Sequence, residues 1–310
     1  YGVIFISHKL QEVMEISDTI TVLRNGKVTG ATTPKECTRN SLASMMVGRD
    51  LSDIEEKDGQ AGETVVLSVE NLSVENDMGL MSVKNISLQV KKGEILGIAG
   101  VSGNGQREFS EAIAGLRNIK KGKITLKDTD ITGKPSSFII NAGLSFIPEE
   151  RMTSGIIKDF SVWENAILKN HDSMSTWHFL KFKNIREFAG NLVEQFTIKT
   201  PSADTPVKNL SGGNIQKLIL ARELSANPSL LIASHPTRGV DIGATEYIHN
   251  IILEKRREGM AVILISEDLD EIRALSDRIA VIYEGEIMGI VPSSEGIEKI
   301  GLMMGGERRS

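Results

Sequence analysis

A glycine-rich stretch, GIAGVSGNGQREF at residues 97–109, has the composition of a loop that binds phosphate. Such loops end in Gly-Lys followed by Ser or Thr, because the lysine contacts the β- and γ-phosphates and the hydroxyl binds Mg²⁺. Here the loop ends in Gly105, Gln106 and Arg107. Its backbone amides can still surround a phosphate. Arg107 has two interpretations, a charge for that phosphate or a surface ion pair.

The second stretch is LSGGNIQKLILARELSANP at residues 210–228. Ser211, Gly212 and Gly213 stand where its helix is predicted to begin. Free amides and the helix dipole make a helix N-terminus an anion site, and glycines let a phosphate come close to the backbone. The alternative is a plain helix cap, since serine is a common cap.

The flanking sequence predicts the elements that position these stretches. ILGIAG is a strand before the glycine loop, and QREFSEAIAGL is a helix that ends at Gly115. GLSFIPEER predicts a strand and a loop, and residues 161–196 predict helix. The apolar strands SLLIA and AVILIS alternate with helices that start near Ala244 and Leu269. With the antiparallel strands TVVLSVENLSV and VKNISLQVKKGE, this predicts a parallel α/β sheet, an antiparallel patch and a helical insertion.

Composition limits the classes of function. The 310 residues are 40% hydrophobic and 25% charged, with a formal net charge of −5, which gives no support to a nucleic-acid-binding surface. Cys37 is the single cysteine and cannot pair within the chain, which favours a reducing, cytoplasmic compartment. The apolar runs are far shorter than the roughly 20 residues of a membrane span, so a membrane role requires a partner.

The chain contains an internal repeat. Residues 2–30 align without a gap with residues 261–289, and MMVG at residues 45–48 matches MMGG at residues 303–306. Both copies read as strand, polar turn, amphipathic helix, strand, turn and strand, so each copy is predicted to begin with a strand. The repeat predicts that residues 1–48 are the tail of one domain and residues 65–310 a complete second domain, with the polar residues 49–64 as linker. Tyr1 is then expected to be a cut rather than a beginning.

Together, the glycine loop, LSGG and SLLIASHPTRGVD resemble the ATP-binding cassette family. The tandem arrangement, IPEER where most cassettes have glutamine, and PTRGVDIGA look like the ATPase subunits of bacterial importers of ribose, galactose and nucleosides. The resemblance implies an α/β, P-loop NTPase-like cassette with a parallel core sheet, an antiparallel β subdomain and a helical subdomain. ASHPTRG looks more like the nucleoside branch.

The resemblance also implies site residues. In the family two cassettes meet head to tail, and each ATP with Mg²⁺ lies between the glycine loop of one and the LSGG helix of the other. Asp241 resembles a dimer contact, with a helix cap as the alternative. The implied nucleotide contacts are Gly100, Gly103, Asn104, Gly105, Gln106, Arg107, Ser211, Gly212, Gly213 and Gln216.

Five positions with a role in the family are altered in the second cassette. Gln106 and Arg107 replace the lysine and serine, and the carboxylates after the core strand are replaced by Ser234 and His235. Glu267 replaces the switch histidine, which the first copy keeps as His8. The second loop is therefore expected not to hydrolyse ATP and to bind Mg²⁺ weakly or not at all. A competent site would combine a first-cassette loop outside this chain with His8 and the Ser211 helix.

The remaining histidines suggest no further chemistry. His235 lacks the neighbouring carboxylate that a general base would need at a magnesium site. No metal-ligand spacing relates the others to each other or to Cys37, so no zinc site is expected; they are His171, His178 and His249.

The predicted function is the ATP-binding subunit of a bacterial nucleoside or simple-sugar importer at the cytoplasmic face of the plasma membrane. Its partners would be transmembrane permease subunits and, indirectly, an extracellular substrate-binding protein. The permease is expected to contact residues 148–157, with Glu150 and Trp163, although Trp163 as core of the helical insertion is an alternative. Two different functions stay open at this point, a soluble tandem ATPase acting on nucleic acid or ribosomes and a non-catalytic interaction module.

Overall fold

The computed structural model describes residues 1–7, 10–24, 26–48, 61–171, 174–176 and 179–308. Short turns include a π-helical turn at Arg151–Gly155 and a 3₁₀ turn at Val207–Asn209. The elements in chain order are α1 (Leu10–Ile16), β1 (Ile20–Arg24), β2 (Lys27–Thr32), α2 (Arg39–Val47), β3 (Val65–Glu75), β4 (Met81–Lys91), β5 (Ile95–Ala99), α3 (Gln106–Ile113), β6 (Ile119–Leu126), β7 (Thr129–Asp130), α4 (Ser136–Asn141), β8 (Leu144–Ile147), α5 (Val162–Ala166), β9 (Ser175–Thr176), β10 (Phe179–Leu180), α6 (Phe182–Gln195), α7 (Gly212–Leu224), β11 (Leu230–Ser234), α8 (Ile242–Arg257), β12 (Ala261–Ile265), α9 (Leu269–Leu275), β13 (Arg278–Tyr283), β14 (Glu286–Pro292) and α10 (Ile297–Met304).

The centre of the fold is a six-stranded sheet in the order β14-β13-β5-β12-β11-β8. All neighbours pair in parallel except β13 and β14, which form an antiparallel hairpin. Every residue of β5, β11 and β12 is buried, as continuous apolar strands covered on both faces must be. The predicted parallel core is confirmed. The carboxyl ends of its parallel strands lie at the same edge of the sheet, which is where the candidate site lies.

A second, antiparallel sheet has the order β4-β3-β6-β7. Its apolar face joins β5, β12 and α3 in one hydrophobic core, with Phe109 of α3 among the fully buried side chains. The alternating burial along β4 matches the alternation in its sequence. The antiparallel patch predicted from the sequence is therefore confirmed.

The helical part differs from the prediction of helix throughout residues 161–196. Among the described residues of this range α5 and α6 are the α-helices, and β9 and β10 pair as a short antiparallel hairpin between them. Ser161 caps α5 in a reciprocal box with Glu164. After α5 the side-chain amide of Asn170 donates to Ser225 Oγ at 2.9 Å, which holds the chain on α7 instead of in a continuing helix.

The first copy of the repeat has the same order of elements as the end of the chain. The series α1, β1, β2, α2 recurs as α9, β13, β14, α10. Both hairpins carry a register shift at the equivalent position, between Val22 and Leu23 and between Val281 and Ile282. The equivalence extends to the left-handed residues Gly48 and Gly306, which end the last turn of each copy.

One predicted strand is wrong. Residues 2–7 match the strand β12 in sequence, yet they form no strand, and Ile4 is 93% exposed. A buried parallel strand needs a neighbour on each side. Within the described ranges no strand pairs with residues 1–7.

None of the helices in these ranges combines the length and the hydrophobicity needed to cross a membrane.

Candidate nucleotide site

The glycine loop connects β5 to α3 at the carboxyl edge of the core sheet. Gly105 precedes α3 in the left-handed conformation, with φ of 101°. Asn104 Oδ1 accepts from the amide of Glu284 at 2.6 Å, and Asn104 O accepts from the amide of Gly285 at 3.1 Å. The loop is thus attached to the turn of the β13–β14 hairpin.

Gln106 turns back into the loop. Its side-chain Nε2 donates to the carbonyl of Val101 at 3.0 Å, and Asn104 Nδ2 donates to the same carbonyl at 3.0 Å. Gln106 is only 8% exposed, and a Cβ on Gly100 would lie 2.6 Å from its Nε2. The side chain at the lysine position is therefore a neutral donor that is already used inside the loop.

Arg107 takes the second of its two interpretations, the surface ion pair. Its Nε donates to Glu111 Oε1 at 2.7 Å, one helical turn along α3, and the side chain is largely exposed. The hydrogen bond to Glu111 raises the pKa of Arg107. Glu111 also binds Arg117 at 2.7 Å, so both arginines share one carboxylate. Arg107 therefore points along the helix and not into the loop.

The loop retains backbone donors but lacks ligands for Mg²⁺. In the described part of the chain, the amides of Gly103, Gly105 and Arg107 have no hydrogen-bond partner, so they can face a phosphate. At the end of β11, Ser234 is buried and His235 has φ of 47°, with its amide donating to Ile265 O at 2.8 Å. Mg²⁺ prefers carboxylate oxygens, which neither residue supplies. The donor set fits a phosphate and does not fit Mg²⁺.

Glu271 is the first buried carboxylate after β12 in the sequence, and it is already hydrogen-bonded to other side chains. Glu271 Oε1 accepts from Thr237 Oγ1 at 2.6 Å and lies 2.8 Å from His249 Nε2. Burial raises the pKa of Glu271, but the hydrogen bonds from His249, Ser266 and Thr237 outweigh it, so its pKa lies below the ordinary value. Glu271 thereby connects α9 and α8 to the loop that follows β11.

Ser211 caps α7, the helix of the LSGG stretch. Its Oγ accepts from the backbone amide of Asn214 at 3.4 Å and from the Asn214 side chain at 2.8 Å. A Cβ on Gly213 would lie 3.0 Å from Ala244 Cβ and 3.5 Å from Asp241 Oδ2, so α7 packs closely on the start of α8. Both sequence interpretations of Ser211 are compatible, because it caps the helix and still leaves its own hydroxyl proton to donate.

Three further predicted residues have clear positions. Asp241 caps α8, accepting from the amide of Ala244 at 2.9 Å. Gln216 is buried in α7, and Glu267 is exposed just after β12. His8 and His178 lie outside the described residues, as does most of the predicted linker. No hydrogen bond among the described residues joins the glycine loop to the Ser211 helix.

Trp163 belongs to the helical part. Its Nε1 donates to Asp204 at 3.2 Å, and its ring meets Phe182 edge-on with centroids 6.0 Å apart. The Arg186 guanidinium lies 5.6 Å from the ring centroid.

Cys37 is partly buried. Among the described residues no group of three or more His, Cys, Asp or Glu side chains could hold a metal ion.

Sequence reasoning missed an arginine near the site. Arg151 of the IPEER segment donates to the carbonyls of Arg238 and Gly239, at 2.6 and 3.0 Å. Arg238 in turn donates to Glu149 at 2.5 Å. The sequence shows charged residues in both segments but gives no sign that they meet, because no spacing rule predicts contact between residues 87–89 positions apart.

Comparison with known proteins identifies relatives. The model of the family described as "ABC transporter" matches residues 83–238. A glucose import ATP-binding protein of Haloferax volcanii is 45% identical over 98% of this chain and 56% of its own length. A nucleoside import ATP-binding protein of Lactococcus lactis subsp. cremoris is 42% identical over 98% of the chain and 61% of its own length. A guanosine import ATP-binding protein of Bacillus subtilis is 42% identical, with 94% and 58% covered.

The chain spans between half and two thirds of the length of these relatives. Among solved structures, a nucleotide-free ATP-binding cassette from an ABC transporter aligns with a TM-score of 0.66 and 22% identity, covering 77% of this chain and 96% of that one. A dimeric cassette bound to ADP and phosphate aligns with a TM-score of 0.63 and 20% identity, covering 74% and 100%. These structures show the same fold. Because the family model covers half of the chain, the chain belongs to the ABC transporter family.

Proposed function

We propose that this chain is part of the ATP-binding subunit that energises an importer of nucleosides or simple sugars. It would work with transmembrane permease subunits at the cytoplasmic face of the plasma membrane, and indirectly with an extracellular substrate-binding protein. Family membership and the import functions in the names of its relatives support this proposal. The observation that carries it is an altered glycine loop, closed by Gln106, in the same cassette as an intact Ser211 helix.

The proposed organisation places the tail of a first cassette at residues 1–48, the linker at residues 49–64 and a second, degenerate cassette at residues 65–310. It is supported by the recurrence of four elements with equivalent bulges. The competent ATP site would combine a glycine loop of the first cassette with His8 and the Ser211 helix. The glycine loop of residues 100–105 would belong to a second, silent site.

The residues of the second cassette have distinct tasks in this arrangement. ATP with Mg²⁺ would supply the phosphoryl group that is transferred to water. The amides of Gly212 and Gly213 would face its phosphates, where the helix dipole favours negative charge. Ser211 accepts from Asn214, so its hydroxyl proton is free for a phosphate oxygen. Gln106 would prevent hydrolysis at the silent site, because its uncharged amide cannot neutralise the negative charge that develops on the phosphate during transfer.

Substitutions in the full-length protein test the assignment of the two sites. His8→Ala and Ser211→Arg are each expected to reduce the ATPase rate at least tenfold, because both would contact the competent γ-phosphate. Glu267→Ala is the matched control, since it occupies the position equivalent to His8 in the silent site. Its rate should stay within twofold of the unsubstituted protein. Equal losses from His8→Ala and Glu267→Ala would show that the silent site is misassigned.

Uptake decides the substrate class. Deletion of the gene is expected to abolish uptake of radiolabelled nucleosides and to leave ribose, galactose and glucose uptake near normal. This follows the resemblance of Ala233, Ser234 and His235 to the nucleoside branch. The reverse pattern would move the protein to the sugar branch and keep the importer. A defect in translation or DNA repair with normal uptake would favour the tandem ATPase acting on nucleic acid or ribosomes.

The permease contact is proposed at residues 148–157 and the start of α5. Ile157 and Phe160 are 42% and 40% exposed there, and Glu150 is exposed beside them. Trp163 is engaged with Asp204 and Phe182, so its substitution also disturbs the helical part. A pull-down with Glu150→Ala and Ile157→Ser therefore tests the contact more cleanly. Full retention of the permease would place the contact elsewhere.

A further inference from the structure

Arg151 connects two loops that are far apart in the sequence. It opens the π-helical turn after β8, and its two terminal nitrogens donate to the successive carbonyls of Arg238 and Gly239. A guanidinium holds two acceptors in a fixed geometry because its donors form a planar fork, whereas the donors of a lysine ammonium rotate about a single nitrogen. We call this pair of hydrogen bonds the Arg151 clamp.

The clamp lies directly against the start of α7. A Cβ on Gly212 would be 2.9 Å from Arg151 Nη2 and 3.4 Å from Gly239 O. Glycine at this position therefore leaves the space that the guanidinium occupies. The same turn touches α7 lower down, where a Cβ on Gly155 would be 2.8 Å from Ile219 Cδ1. The turn, the loop before α8 and the first residues of α7 are packed as one unit.

A second link runs between the same two loops. Arg238 Nη1 donates to Glu149 Oε1 at 2.5 Å, with the Arg238 side chain 56% exposed. Exposed ion pairs contribute little to stability. Arg151 differs because it bonds backbone carbonyls of a loop whose conformation decides where Asp241 begins α8.

We propose that Arg151 is a positioning residue: its clamp holds the loop of residues 235–240 against Gly212 and so presents the first amides of α7 at a fixed angle to the nucleotide. This rests on the proposed function for the statement that a nucleotide lies there. The amides can act as a preorganised anion site only if the backbone around them is held before ATP arrives. Arg151 itself does not contact the nucleotide.

Hydrogen exchange of the amides of Arg238 and Val240 tests the clamp without any activity. These amides donate within the clamped loop, to His235 O and Thr237 O. Arg151→Met and Arg151→Lys are each expected to speed their exchange about tenfold, since two charge-assisted hydrogen bonds are lost or reduced. Glu149→Gln is the matched control, because it removes the ion pair and keeps the clamp, and its exchange rates should not change. Unchanged amides in β5 and β12 show that the variants fold.

Kinetics of the full-length protein test the consequence. Both Arg151 variants are expected to lower kcat for ATP at least fivefold with KM within twofold, because binding elsewhere is intact. Normal exchange in Arg151→Met would overturn the clamp, and fast exchange with normal kcat would overturn its positioning role. If the unsubstituted protein has no ATPase activity, the proposed function fails, while the exchange measurement still decides the clamp.

Discussion

Replacing Gly105 by alanine is expected to destabilise the protein far more than replacing Gly103. Both glycines have positive φ, 101° and 88°, so a side chain costs both of them backbone strain. A Cβ on Gly103 meets nothing within 4 Å, whereas a Cβ on Gly105 would lie 2.3 Å from the carbonyl oxygen of Ser82 and 3.6 Å from Gly285 Cα. Comparing the two variants therefore separates the cost of backbone strain, which both share, from the cost of the contact between the glycine loop and β4, which only Gly105→Ala has.

The magnitudes follow from these distances. Strain at a left-handed position costs about 1 to 3 kcal/mol, and alanine regains about 0.4 to 1 kcal/mol by restricting the unfolded chain. Gly103→Ala should therefore lower the free energy of unfolding by about 1 kcal/mol. The contact with Ser82 O cannot be relieved by a side-chain rotation, because it is backbone on β4. An enforced backbone shift adds about 1 to 3 kcal/mol, so Gly105→Ala should lose about 3 kcal/mol.

Urea unfolding followed by circular dichroism measures both variants of this chain. The slope against urea should be unchanged, since neither variant alters the surface exposed on unfolding. The midpoint should fall slightly for Gly103→Ala and strongly for Gly105→Ala. Equal losses would refute the reasoning, because they would mean that the loop does not lie against Ser82.

Three further outcomes are expected. This chain alone should show no Mg²⁺-dependent ATP turnover above background, and turnover that Gln106→Ala abolishes would contradict the silent-site assignment. Glu271→Gln should lower the free energy of unfolding at pH 7 by about 2 kcal/mol, because a carboxylate that accepts from His249 is lost. Since the folded pKa of Glu271 is depressed, its stabilisation is complete above the unfolded value of about 4.3 and is lost as pH falls through the folded value. Acid titration of unfolding should therefore be flatter in this variant, and parallel curves would refute the assignment. Lys169→Met should lower the free energy of unfolding by about 3 kcal/mol, since it removes a partner 2.6 Å from Glu223, whose side chain is 4% exposed. In a double-mutant cycle, adding Glu223→Gln should restore part of that free energy.

The elements that follow from local patterns were predictable. Apolar runs of strand length became β5, β11 and β12, and the gapless repeat anticipated that α9, β13 and β14 would have counterparts near the start of the chain. These features depend on residues close together in the sequence, whose periodicity decides which face is buried. The glycine loop and the LSGG helix start were predictable for the same reason.

Two predictions were wrong where distant contacts decide. Residues 2–7 have the sequence of a buried strand but form none, because a strand is defined by its partners. Residues 161–196 lack glycine-rich breaks, yet the contact of Asn170 with Ser225 holds the chain on α7, and β9 and β10 pair between the helices. Neither partner could be read from the pattern of the segment itself.

The sequence by itself determined the fold class, the repeat and the presence of Gln106 where a phosphate loop usually has lysine, because each is a matter of residue type and spacing. Tertiary structure decided what the replacements do. Gln106 turns onto Val101 O within the loop, and Arg107 pairs with Glu111 four residues along the same helix, a contact that the spacing allows but does not require. It also brought Arg151 to carbonyls 87 and 88 residues away. The Arg151 hydrogen bonds are selected by the packing of whole elements, because no local pattern encodes which distant carbonyl a side chain will meet.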